Sequence, residues 1–258
     1  MRLSFLTAAA AAILSSCTVK EERTGCPCLL NLDLDQVIET GNYEEAVTTL
    51  VPTPEGVRER ELIELSPYMG IGYEVSVPRK VINTSVVCGV GQEFFSESSV
   101  NAGTAPVMAF AEAVRCREDR ETVEVMLHKQ YCRVTLLPEG FDSASEYPFR
   151  VRLDASTGAL DLCSLEPCGE SFSAMFGDDL TINVPRQADG APLILDMLAD
   201  GPEPVFSVDL SAKLAAAGYD WSAEDLADVS VKVDFARMTC SVAVLPWEEN
   251  SEYMQIDI

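Results

Sequence analysis

The chain has 258 residues, 47% of them hydrophobic and 23% charged, which suits one large or two small packed domains and excludes wholesale disorder. Eighteen Lys and Arg against 42 Asp and Glu give a formal charge of −24, which repels phosphate backbones and excludes nucleic acid as a partner. His128 is the single histidine, so His-rich metal sites are excluded and a histidine-based triad has little to build on.

In chain order, the first signal is N-terminal. Arg2 is followed by an apolar, Ala-rich run over residues 3–14, then Ser15, Ser16 and Cys17. A dozen apolar residues are too few to span about 30 Å of hydrocarbon, so residues 1–16 read as a cleavable secretion signal. Small residues ahead of a cysteine resemble a bacterial lipobox. That resemblance implies cleavage between Ser16 and Cys17, with lipid on Cys17. Several acyl chains on one cysteine anchor a protein stably, at about 0.8 kcal/mol per buried CH₂. Residues 17–25 form a polar tether, in which Lys20-Glu21-Glu22 is either a plain solvated linker or a surface-export signal of the kind found on Bacteroidetes lipoproteins.

Strand-like alternation dominates the rest of the chain. Leu30, Leu32 and Leu34 alternate with polar residues, and the pattern recurs at 71–77, 123–127, 132–136, 149–153, 180–184, 205–210, 229–235 and 240–244. Helical spacing is confined to residues 43–50, 105–114 and 211–217. The last of these has Ser211 as N-cap and Gly218 as its stop, and a further turn follows at 222–226. Many short strands punctuated by Gly, Pro, Asn and Asp predict an all-β chain of two sandwiches in tandem, with a few short helices. The expected division is a signal peptide (1–16), a lipidated tether (17–25), a first sandwich (26–127) and a second (128–258). No internal repeat is visible in the sequence.

Eight cysteines remain after Cys17, an even number that fits an oxidising compartment and one or two disulfides. Cys163 and Cys168 flank Ser-Leu-Glu-Pro and can close a small loop. Eight cysteines allow 105 pairings, so the connectivity is not readable. No Cys-x-x-Cys pair supports zinc.

The chemistry of catalysis is missing. There is no Gly-x-Ser-x-Gly elbow and no phosphate loop, and Gly89-Val90-Gly91 reads as a turn. Asp178-Asp179 reads as a solvated loop, His128 as a structural residue and Trp247 as an end-plug. Trp221 and Trp247 are the two candidate sugar platforms. No enzyme, cofactor, metal or small-molecule substrate is expected.

Three segments carry a resemblance. Residues 17–34, with Thr24-Gly25-Cys26-Pro27-Cys28-Leu29-Leu30-Asn31-Leu32-Asp33-Leu34 at their end, resemble the opening of FimB-type fimbrial anchor lipoproteins of the Bacteroidetes fimbrillin superfamily. Residues 125–136 (Val-Met-Leu-His-Lys-Gln-Tyr-Cys-Arg-Val-Thr-Leu) resemble that family's strand opening the second domain. Residues 229–247, ending Val242-Ala243-Val244-Leu245-Pro246-Trp247, resemble its terminal strand pair. The resemblance implies two transthyretin-like Greek-key sandwiches and an outer-membrane lipoprotein at the fimbrium base. It also implies a stalk subunit as partner, bound by strand complementation, and a part in assembly and length control. Stalk subunits of the superfamily are trimmed by protease and donate a strand, whereas an anchor keeps its own N-terminal strand. Arg58 and Arg60 are potential trypsin-like sites that would suit a trimmed subunit. The alternatives are an accessory or tip subunit, or a glycan-binding surface lipoprotein.

Overall fold

The computed structural model describes residues 25–53, 58–139, 149–199, 201–234, 237 and 239–245. Cys17, residues 1–16 and Trp247 therefore lie outside the described residues. The described chain is all-β, with nineteen strands and two short helices, as the sequence predicts.

The first sandwich packs two sheets. One is three-stranded, β4 (Tyr73–Val77), β1 (Cys28–Asp33) and β8 (Arg120–Glu124) in spatial order. The other is five-stranded, in the order β3 (Glu59–Glu64), β2 (Glu45–Thr53), β5 (Val81–Cys88), β7 (Met108–Arg115) and β9 (His128–Lys129). β1 pairs antiparallel with β4 and parallel with β8. Its alternation works as expected: Leu30, Leu32 and Leu34 are fully buried in the first core, with Ile63, Ile82 and Val125.

The second sandwich repeats this plan. β15 (Thr181–Pro185), β10 (Tyr131–Pro138) and β18 (Asp228–Asp234) match β4, β1 and β8. β10 is antiparallel to β15 and parallel to β18. The facing sheet runs β14 (Phe172–Met175), β11 (Arg150–Ala155), β16 (Leu193–Leu198), β17 (Pro204–Asp209), matching β3-β2-β5-β7 in spatial order. The chain is thus duplicated in topology without a visible repeat in sequence. Sandwich folds constrain the alternation of burial and leave residue identity open. The second half adds β19 (Thr239–Leu245), antiparallel to β18, which has no counterpart beside β8 among the described residues.

Each half also carries an insertion. β6 (Ser99–Asn101) lies between β5 and β7, and β12 (Ala159–Asp161) with β13 (Pro167–Cys168) lies between β11 and β14. These insertions pair with one another in the order β13-β12-β6. Beneath them Leu160 and Leu162 of the second half pack with Val87, Val100 and Val107 of the first, forming a third core shared by both sandwiches.

Several expectations are corrected. Residues 43–50 and 105–114 carry no helix; they contain parts of β2 and β7. Ala46 to Leu50 are all buried, so β2 is covered on both faces and shows no alternation to distinguish it from a helix. The helix expected near 211 is present as α2 (Ser211–Ala216). Ser211 is its first helical residue rather than its N-cap, which is Leu210, and the Ser211 N–H is taken by the Asp209 carboxylate at 2.9 Å. Gly218 follows it in the left-handed region, at φ 77°. Nothing in the sequence marks α1 (Asp35–Glu39), a single turn. In the Gly89-Val90-Gly91 turn, Gly89 has φ +86°, and an added Cβ would sit 2.4 Å from the Pro106 carbonyl oxygen.

Cys163 and Cys168, expected as a possible bridge, are both free thiols in this structure. Main-chain and carboxylate hydrogen bonds close the loop between them. Ala159 pairs with Cys168 and Leu160 with Pro167, while the Asp161 carboxylate accepts from the N–H groups of Cys163 and Ser164 at 2.9 and 3.0 Å. Cys163 is left at the turn and Cys168 in the strand.

Leu160→Ala removes a side chain from the shared core. The expected cost is about 3 kcal/mol, with a single calorimetric unfolding transition separating into two. One transition with an unchanged midpoint would contradict a core that couples the halves.

Candidate functional site: the inter-sandwich clamp and the open strand edges

The chain passes from one sandwich to the other through β9, which pairs with β7, and β10 follows after Gln130. An apolar strand would suffice here, yet the sequence places His128, Lys129 and Gln130, and each is engaged. The Lys129 side chain is 1% exposed; its ammonium donates to the Leu226 carbonyl at 3.0 Å, pairs with the Asp228 carboxylate and lies 4.8 Å over the Tyr131 ring. The Asp225 carboxylate accepts the Lys129 N–H at 2.6 Å and contacts His128 Nδ1 at 3.1 Å.

Arg186, just past β15, completes the clamp. Its Nε donates to Gln130 Oε1 at 2.9 Å, and its terminal nitrogens donate to the carbonyls of Trp221, Ala223 (2.8 Å) and Glu224 (3.2 Å). Burial lowers the Arg186 pKa, and the neighbouring Tyr219, Asp220 and Asp225 oppose that shift. A guanidinium with four carbonyl-type acceptors fixes a loop more rigidly than an ammonium can. Beside it lies a cavity of about 580 Å³ bordered by His128, Glu166, Arg186, Asp189 and Trp221. The clamp and the shared third core join the two halves without a loose linker.

The strand edges are the other candidate surface. β9 covers only Met108 and Ala109 of β7, so residues 110–115 have no strand on that side among the described residues. β17, the matching strand of the second half, is likewise an edge, mostly exposed. Such edges present N–H and C=O groups to an incoming strand. A shallow groove of about 1070 Å³ crosses the second sandwich, where Leu137, Met175 and Leu245 stand 40–47% exposed among Thr135, Thr181 and Ser230.

The other sequence candidates are placed singly. Arg60 lies inside β3, paired with Thr49; its guanidinium donates to the Ser96 carbonyl at 2.7 Å and stacks 5.0 Å from the Phe95 ring. Arg58 directly precedes that strand. Trp221 is 7% exposed and packs edge-on against Tyr219 at 4.7 Å, so it offers no sugar platform. Asp179 caps its own turn by accepting from the Thr181 hydroxyl (2.7 Å) and N–H, which lower its pKa. Among the described residues no group of three His, Cys, Asp or Glu side chains could hold a metal ion. Sequence reasoning missed the clamp because Lys129, Arg186 and Asp225 are far apart in the chain. The one available signal was a Lys in an otherwise core-like strand start.

No family model matches the chain, and no curated protein matches it in sequence. Solved structures do. The fimbrial anchor protein Mfa2 from Porphyromonas gingivalis is 10% identical with a TM-score of 0.52, the match covering 86% of this chain and 98% of that one. A candidate adhesin from Bacteroides ovatus is 10% identical with a TM-score of 0.53, covering 81% and 89%. A candidate polysaccharide-binding protein from Bacteroides thetaiotaomicron is 12% identical with a TM-score of 0.51, covering 88% and 100%. The class this defines is one of fold, a tandem β-sandwich shared with these three bacterial proteins.

Two outcomes test this geometry. Lys129→Ala empties the space of a buried side chain and leaves the Asp228 carboxylate with the Arg133 N–H at 2.8 Å; it is expected to cost about 3 kcal/mol in urea unfolding, with Lys129→Met costing less. Trypsin is expected to cut Arg60–Glu61 in the folded chain about tenfold or more slowly than in the urea-unfolded chain, read by intact mass, because cleavage requires β3 to leave the sheet.

Proposed function

We propose that the chain is an outer-membrane lipoprotein that anchors a fimbrium to the cell surface and binds its first stalk subunit by strand complementation. In this reading it takes part in fimbrium assembly and length control. Lipid on Cys17 holds the outer membrane, and residues 17–25 are the tether. The mature chain divides into sandwiches 26–127 and 128–258, with His128 and Lys129 crossing the seam to pair as β9 with β7 of the first.

The observation that carries this reading is the position of β1. The tether leads directly into a strand that occupies the centre of its sheet and is paired along its length on both sides. A pull on the N-terminus runs along that strand and loads both ladders in shear. Each hydrogen bond nets only about 1 kcal/mol, but many must fail together, along with the burial of Leu30, Leu32 and Leu34. A subunit that keeps its first strand is closed at that site, so the stalk's strand must use an open edge such as residues 110–115. The fold shared with a fimbrial anchor protein supports the same reading. Mechanical grip requires no catalytic residue or cofactor.

Cys17→Ala is expected to move the chain from the membrane to the soluble fraction and to shed fimbriae into the medium. The wild-type chain, pulled down from detergent extracts, is expected to bring a stalk subunit with it. Fimbriae unchanged in attachment and length after deletion of the chain contradict the anchor. A mature N-terminus at Glu61, read by mass spectrometry, would instead assign a trimmed accessory or tip subunit.

A further inference from the structure

Two of the free cysteines lie on the two facing sheets of the first sandwich. Cys28 opens β1 in the three-stranded sheet, and Cys116 directly follows β7 in the five-stranded sheet. Both are fully buried members of the same first core, one contributed by each of its two sheets. The surrounding backbone is tied down independently. Arg79 donates from Nε to the Cys26 carbonyl at 3.0 Å and from Nη1 to the Arg117 carbonyl at 2.5 Å, and its other terminal nitrogen pairs with Asp119. One guanidinium therefore holds the chain beside both cysteines. Cys28 also pairs with Val77, while the Cys116 N–H donates to the Lys80 carbonyl at 3.0 Å.

We infer that Cys28 and Cys116 form a disulfide in the exported protein, bracing the first strand to the opposite sheet. The inference rests on the extracytoplasmic location proposed above, because thiols stay reduced in the cytoplasm. Two S–H bonds break and one S–S bond forms. Two electrons and two protons pass to a disulfide-bearing oxidant, which is reduced to two thiols after a mixed-disulfide intermediate. A pull transmitted from residue 17 would then meet a covalent cross-link at Cys28 before it reached the hydrogen-bond ladders.

The timing follows from burial. Desolvation, reinforced by Cys28, pushes the Cys116 thiol up to about 12, so Cys116 carries almost no thiolate in the folded chain near neutral pH. The bond therefore forms during export and folding, while both thiols are still accessible. Once made, it closes a loop of about 90 residues and raises the thermal midpoint by about 10 °C over the reduced chain.

The test uses the chain isolated from the cell envelope, and the same chain reduced, unfolded and refolded in a glutathione redox buffer. Thiols are trapped with an alkylating agent and peptides are mapped under non-reducing conditions. A Cys26→Ser background leaves a single cysteine in the β1 peptide. The expected result in both samples is one cross-linked peptide pair joining Cys28 to Cys116. In the reduced, folded chain Cys28 and Cys116 are expected to react with oxidised glutathione about tenfold or more slowly than in the unfolded chain. A refolded chain with native circular dichroism in which Cys28 is unpaired, or paired elsewhere, overturns the inference. A bond that forms on refolding but is missing from the envelope sample overturns its presence in the exported protein and counts against export itself.

Discussion

The parallel pairing of the first strand of each sandwich with a strand near its end is the constraint on which the rest depends. β1 cannot be enclosed until β8 has been made, and β10 cannot be enclosed until β18 has been made. Each sandwich is therefore closed by a contact between strands far apart in sequence. Such topologies fold slowly and gain their cooperativity late, when the final ladder forms over an already collapsed core. The mechanical consequence is favourable for an anchored protein. The strand nearest the tether is the one enclosed last, and it is paired on both sides.

Duplication explains how two such modules act as one body. The two insertions, β6 and β12–β13, would each be a short exposed hairpin or strand in isolation. Paired with each other they build a third sheet over Leu160, Leu162, Val87 and Val107. The clamp of Lys129, Asp228, Arg186 and the loop from Trp221 to Leu226 fixes the covalent connection at the same junction. Buried ionic groups add little net stability by themselves. Here they specify geometry, because the acceptors come from separate segments, the loop from Trp221 to Leu226 and the start of β18 among them, that must be in place for the charges to be satisfied. A force entering at β1 is thus passed on to the second sandwich through packed and hydrogen-bonded surfaces.

The sequence was legible wherever a strand has one wet face. β1, β4, β10, β11, β15, β17, β18 and β19 all lie within or overlap alternating runs. It was misleading where burial is continuous, as along β2, or where small residues hide the period, as along Ala109, Ala111 and Ala113 of β7. β3, with Glu-Arg-Glu in half its length, carries no apolar signal because an edge strand needs little. The clamp, the shared third core and the pair of Cys28 and Cys116 were invisible for a common reason. Each joins residues tens of positions apart, and spacing along one chain carries no record of that. Cys17, the proposed anchoring residue, is the reverse case: plain in the sequence and outside the described structure.

Native-state hydrogen exchange at the amides of Leu30 and Leu32 tests most directly whether β1 is a permanently enclosed strand. Permanent enclosure predicts that these amides exchange only through global unfolding, with protection that falls with added denaturant along the same slope as the whole protein. Exchange within minutes and insensitive to denaturant would mean that β1 opens by itself, and a strand that opens by itself cannot serve as the point where an anchor grips its own tether.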